Sequence, residues 1–161
     1  MILEIKALNF AYGEEKVLKD INLKAYQGEL ITLIGPNGSG KSTLLKCINN
    51  YLNIDRGNIR IKGEEIDNFS KKELAKIIAY VPQAAGDKFN LNVFETVLMG
   101  RKPYSSWKAG AVDKKITAKV ISRLGLESIA FKKLNDLSGG QRQKVFIARA
   151  AAQQAEIILL D

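Results

Sequence analysis

Histidine is absent from the 161 residues, which removes imidazole from every catalytic scheme open to the chain. A single cysteine, Cys47, excludes an internal disulfide, and its place in the run Leu44, Leu45, Lys46, Cys47 marks it as a small core residue rather than a reactive thiol. No stretch approaches eighteen uninterrupted apolar residues, so nothing reads as a bilayer span. The opening MILEIKALNF alternates charged and apolar side chains instead of placing a basic region before an apolar one, which argues against a secretory leader. A cytosolic compartment is the expectation. Internal repeats and low-complexity segments are also missing.

What is present is ordinary for a globular chain: 46% apolar and 26% charged residues supply both a core and a solvated surface. The net charge of +8 is spread through the sequence, with local pairs at Lys71-Lys72, Lys114-Lys115 and Lys132-Lys133. Dispersed charge of this kind reads first as solvated surface, with acidic lipid headgroups or a nucleic acid as the other partners it suits.

The most informative stretch is Gly35-Pro36-Asn37-Gly38-Ser39-Gly40-Lys41-Ser42-Thr43, set between an apolar run (Leu30, Ile31, Thr32, Leu33, Ile34) and a helix-forming one. It fits G-x-x-x-x-G-K-[ST] in the strand-to-helix context that gives the pattern a mechanism. Glycines 35, 38 and 40 are expected to take positive φ, turning successive backbone N–H groups into one concavity at a helix N-terminus. Lys41 is placed to reach the β- and γ-phosphates of a nucleotide, and Ser42 to sit on a magnesium ion bridging them. A turn that bound nothing would have little use for the Lys-Ser pair.

Along the chain, residues 2–10 and 17–25 alternate as two antiparallel strands joined through Tyr12-Gly13. Residues 29–34 read as a buried strand entering the glycine-rich loop. The helix from Lys41 ends near Asn49-Asn50, and a short strand over 58–62 is framed by Gly57 and Gly63. Ser70 and Glu73 form a capping box for a helix of one to two turns, followed by a strand over 77–81 that Pro82 stops. Beyond Gln83 the periodicity turns helical for about fifty residues. There Asn92 and Glu95 make a second capping box, and Asp113 caps a third helix with Ile116, Val120 and Leu124 on one face. A last helix begins after Ser138 and runs to about Gln154, and the final apolar run closes on Asp161.

An apolar strand ending in aspartate downstream of a phosphate loop is the second half of a nucleoside-triphosphate site, with the carboxylate near the magnesium shell of Ser42. Leu137-Ser138-Gly139-Gly140-Gln141 is the other decisive stretch. Ser138 and Gln141 satisfy a capping box, but two glycines in the first turn weaken a helix by roughly 1 kcal/mol each against alanine, a cost that capping does not require. Bare N–H groups beside a serine hydroxyl make an anion site. The chain therefore offers two phosphate-type sites, which one nucleotide cannot easily use in one subunit.

These motifs, with Gln83 of Tyr-Val-Pro-Gln, Arg142 after the Ser-Gly-Gly-Gln run and the strand into Asp161, stand in the order found in ATP-binding cassette (ABC) proteins, and the resemblance covers the whole chain. It implies an α/β fold: a P-loop NTPase (RecA-like) core with a parallel sheet, an antiparallel β layer and an inserted helical subdomain. The division expected is a single, partial ABC ATPase domain over 1–161. About 1–83 and 142–161 form the nucleotide core with its β layer, and about 84–141 form the helical subdomain. ATP and Mg2+ are the implied cofactors. Carried over residue by residue, Tyr12 stacks on adenine, while Gly35, Pro36, Asn37, Gly38, Ser39, Gly40, Lys41, Ser42 and Thr43 hold the phosphates. Ser42, Gln83 and Asp161 surround the metal, and Lys41 and Gln83 are the catalytic groups. A head-to-tail, ATP-dependent homodimer is implied, in which Ser138, Gly139, Gly140 and Gln141 of one copy close over the γ-phosphate held by the other.

Val97-Leu98-Met99-Gly100-Arg101-Lys102-Pro103-Tyr104 and the Leu137–Ala150 stretch are similar to ATPases that drive import of iron chelates, haem and vitamin B12. That resemblance implies polytopic permease subunits docking near Gln83 and residues 84–92, an external binding protein as indirect partner, and a place on the inner face of the cell membrane. No nucleic-acid partner is expected. A soluble ABC ATPase acting on ribosomes or DNA, and a nucleotide-binding fragment without turnover, are the competing readings. Family members continue past the aspartate with a glutamate that polarises water, a dimer-contact loop and a histidine. A chain stopping at Asp161, truncated at the Walker B aspartate, is expected to bind nucleotide weakly and to turn it over poorly, one general base being worth about 10²- to 10⁴-fold.

Overall fold

The computed structural model describes residues 1–83, 91–105 and 108–161. They fold as two compact units, Met1–Leu74 with Asp161, and Ala75–Leu160.

The first unit is built on an antiparallel sheet. Strands β1 (Leu3–Tyr12) and β2 (Glu15–Ala25) form the expected hairpin across Gly13-Glu14, and β3 (Arg56–Ile61) and β4 (Glu64–Glu65) extend it in the order β2-β1-β3-β4. Alternation does its usual work here: Leu3, Ile5, Leu8, Phe10, Ile59 and Ile61 are buried and Lys6 faces water, the exception being Glu4, which is buried and paired with Lys6 at 3.0 Å. Irregular register in the middle of β1 accompanies a left-handed Ala7, whose carbonyl oxygen lies 2.4 Å from where a Cβ on Gly57 would stand. Only glycine fits there. Helix α1 (Lys41–Ile48) buries Leu44, Leu45, Cys47 and Ile48.

The expected buried strand over residues 29–34 does not form. The segment is irregular, and Leu30 and Ile34 are 91% and 92% exposed. A strand needs neighbours for its N–H and C=O groups, and among the described residues no strand pairs with this one. Apolar character alone is not enough to make it one.

In the second unit, β5 (Ile78–Val81) and β6 (Ile157–Leu160) pair in parallel, Ile78 opposite Ile157 through Val81 opposite Leu160. Helix α2 (Lys71–Ile77), which begins in the first unit and ends in the second, leads into β5 and starts as predicted, Glu73 and Ser70 exchanging capping bonds. Helices α3 (Val93–Leu98), α4 (Ala111–Arg123) and α5 (Gly139–Gln153) pack around Val93, Val97, Ile121, Val145, Ala148 and Ala152. Phe146 and Ala150 on another face of α5 cover Ala79 and Val81 of β5. Asn92 and Glu95 cap α3 reciprocally, as the sequence implied.

For α4 the expectation needs correction. The helix starts two residues before Asp113, which sits in its first turn and accepts from the Gly110 N–H at 3.0 Å instead of occupying the cap position itself. Its other oxygen accepts from Arg101 Nε at 3.1 Å, and the Arg101 hydrogen bond, with that from Gly110, holds the Asp113 carboxyl below its ordinary range. Thr117 and Ile121 are the residues α4 buries fully, while Ile116, Val120 and Leu124 are half-buried at the edge of the same face.

Candidate functional site

The loop between residue 34 and α1 is shaped by three glycines with different tasks. Gly38 and Gly40 take positive φ, 81° and 87°, and Gly40 is the left-handed residue from which α1 starts. A Cβ on Gly40 would also meet Leu18 Cδ2 at 2.9 Å, so the loop's exit is fitted against β2. Gly35 departs from expectation: it is not left-handed, and its constraint is the Ser39 hydroxyl, 2.7 Å from a hypothetical Cβ. Lys41 Nζ curls over the loop and donates to the carbonyls of Gly35 at 2.9 Å and Pro36 at 2.7 Å. Asn37, Ser39 and the loop glycines 35 and 38 are exposed, and Thr43 is buried one turn into the helix.

Asp161 follows β6 directly, and its Oδ1 accepts from the Ser42 hydroxyl at 2.5 Å. The two residues, 119 positions apart, are thus brought together as the sequence implied. A hydroxyl and one carboxylate form the hard-oxygen donor set from which Mg2+ takes one or two protein ligands while keeping water and phosphate oxygens. No group of three or more carboxylates or cysteines gathers elsewhere among the described residues, so nothing there suits a cation that demands a full protein cage. The donors and the loop therefore fit a magnesium-nucleotide. An ammonium held by two backbone carbonyls can exchange them for phosphate oxygens, and the ion would neutralise charge that Lys41 alone does not.

Tyr12, 49% exposed, closes β1 with its ring perpendicular to that of Phe10, centroids 4.8 Å apart, and so keeps part of its surface accessible. Sequence reasoning missed what holds it. Asp55 Oδ2 accepts from the Ala11 N–H at 2.7 Å, and the Asp55 N–H donates to the Asn9 carbonyl, fixing the backbone next to Tyr12 from 44 residues away. No local pattern marks such a contact.

In the second unit Ser138, Gly139, Gly140 and Gln141 are all exposed at the start of α5. Ser138 Oγ accepts from the Gln141 N–H at 3.3 Å and Gln141 Oε1 accepts from the Ser138 N–H at 3.0 Å. Nothing lies within 4 Å of where a Cβ on either glycine would stand, so their N–H groups are approachable. Gln83 is exposed just after β5. The docking segment expected over 84–92 falls largely outside the described residues, of which only Leu91 and Asn92 are seen.

Comparison with known proteins places these features in context. The ABC transporter family profile matches residues 18–161. An uncharacterized ABC transporter ATP-binding protein of Methanocaldococcus jannaschii is 46% identical over 161 residues, covering all of this chain and 63% of its own length. The iron(3+)-hydroxamate import ATP-binding protein of Bacillus subtilis is 37% identical, covering 99% of this chain and 60% of its own. Among solved structures, an inward-facing transporter described as metal-chelate type superposes with a TM-score of 0.84 at 30% identity, over 99% of this chain and 59% of that one. The chain thus spans about three-fifths of the length of the relatives it matches.

Proposed function

The chain belongs to the ABC transporter family, and from that premise we propose that it is the ATP-binding part of an importer's energy-coupling subunit, with an iron chelate, haem or cobalamin as cargo. The single observation carrying the nucleotide half of this reading is the Ser42–Asp161 contact at 2.5 Å beside a loop whose lysine is bonded only to loop atoms. The importer half is supported by the hydroxamate relative and the metal-chelate type structure.

ATP supplies the phosphoryl bond and Mg2+ the charge neutralisation. The residues of this chain bind and orient. Lys41 releases the Gly35 and Pro36 carbonyls for the β- and γ-phosphates, Ser42 and Asp161 hold the metal, Thr43 supports the phosphates and Tyr12 stacks on the adenine. Gln83 links the metal to the helical part. Ser138 and the bare amides of Gly139 and Gly140 serve a nucleotide on a second copy, head to tail, which answers why one chain carries two phosphate-type sites. Membrane permease subunits complete the machine. Among the described residues no helix is long and apolar enough to cross a membrane, so a peripheral seat on the permease's inner face is part of the proposal.

Equilibrium titration with a fluorescent ATP analogue tests the nucleotide half. Lys41→Ala removes hydrogen bonds to a charged phosphate and is expected to weaken Mg-ATP binding about 10- to 100-fold, with adenosine binding unchanged. Equal affinity in the variant would overturn the assignment of the loop. Residues 1–161 alone are proposed to hydrolyse ATP slowly, and steady-state turnover equal to that of a full-length relative would show otherwise.

A further inference from the structure

Lysines and arginines occur along the whole sequence, but the net charge falls in one unit. Residues 75–160 carry fourteen lysines and arginines against six carboxylates, which is the whole net charge of +8, while residues 1–74 with Asp161 balance to zero. Within the charged unit, helix α4 carries Lys114, Lys115, Lys119 and Arg123. Its inner face is spent on the core through Thr117 and Ile121. At helical spacing Val112, Lys115, Lys119 and Arg123 fall on one line along the outer face, over about 17 Å of helix. All four are exposed, Val112 to 71%. Among the described residues no carboxylate pairs with these cations. Asp113 is turned inward to Arg101, and the carboxylate tied to the outer face, Glu127, accepts from Ser122 at the helix's end.

We propose that this outer face of α4 is a docking surface for an anionic lipid bilayer. A stripe of cations is repelled by the lysine- and arginine-rich cytoplasmic loops of a membrane protein and attracted by the anionic leaflet around them. Val112 favours the bilayer over nucleic acid: an apolar side chain amid cations gains at the boundary between headgroups and acyl chains, and gains nothing on a phosphodiester backbone. Because the core already occupies the apolar face of α4, the helix cannot insert. Attachment is peripheral, reversible and governed by ionic strength. The orientation this gives is useful to a subunit working at a permease, but the surface itself does not depend on nucleotide or permease.

Co-sedimentation of the 161-residue chain with vesicles, without ATP, tests it independently of the importer reading. Phosphatidylcholine vesicles containing phosphatidylglycerol are expected to carry the protein down, pure phosphatidylcholine vesicles not, and added salt is expected to release it. Each cation near an anionic surface is worth about fivefold in partition, so Lys115→Gln with Lys119→Gln should cost about 25-fold and Lys115→Glu with Lys119→Glu more, with helical circular dichroism unchanged. Unchanged partition of both double variants, indifference to phosphatidylglycerol, or displacement from the vesicles by duplex RNA or DNA at equal phosphate would each overturn the proposal.

Discussion

Cys47 is 1% exposed in α1, and burial, reinforced by the negative charge of Asp55, pushes its thiol from 9.0 up to about 11. The thiolate is the reactive form, so at pH 8 the folded chain should react with a soluble disulfide reagent at least about 100-fold more slowly than the unfolded chain. Titration gives the same shift a second readout. Below about pH 9 folded and unfolded states both hold the proton. As pH rises towards 11 the unfolded chain loses it first, so stability contributed by this site declines across that interval. Urea midpoints at pH 8 and 10.5 should show the decline, and Cys47→Ala should lack that part of it. At this scale the sequence was a good guide: the burial of the cysteine, the closeness of Ser42 and Asp161 and the exposed Ser138 were all legible in residue type and spacing. Asp55 was not, because a carboxylate that pins a backbone amide 44 positions away leaves no periodic trace.

Among the elements, legibility follows locality. Capping boxes at Ser70, Asn92 and Ser138 are closed within three residues, and all three open helices where the pattern says. Residues 29–34 fail by the same reasoning turned round, since what makes a strand is a partner elsewhere in the chain. The Gly100-Arg101 segment is instructive in a third way. It belongs to the stretch whose resemblance suggested an importer subfamily, and in the structure both residues are engaged in packing. A Cβ on Gly100 would stand 2.2 Å from the Arg149 carbonyl oxygen, so the turn after α3 touches α5 backbone to backbone. Beside it, buried Arg101 donates to Asp113, to the Ala152 carbonyl and to Gln154, while the Tyr104 ring covers its guanidinium, 4.1 Å from the centroid. Gly100→Val must force the two helices apart, and overpacking of this kind costs about 1–3 kcal/mol or more. Thermal unfolding followed at the helical band should show that loss, with Lys102→Ala on the exposed side of the same turn as the neutral control.

For the molecule as a whole, the distribution of exposed apolar surface matters as much as the distribution of charge. Leu30 and Ile34 present nearly full side chains to water in a segment whose backbone no described strand pairs, which combines the two properties that make an edge sticky. This unit has no net charge to keep copies apart, whereas residues 75–160 repel their like. Association of the 161-residue chain should therefore proceed through residues 29–34. It should rise with concentration and with salt, because salt screens the repulsion while leaving the apolar attraction intact. Leu30→Lys with Ile34→Lys places cations on that edge and removes its apolar contact, so light scattering should report a return towards monomer at concentrations where the parent associates. A small loss in thermal stability at most is expected, since neither side chain is buried in the parent. If the double variant associates as readily as the parent, the sticky surface lies elsewhere, and the open segment is merely irregular.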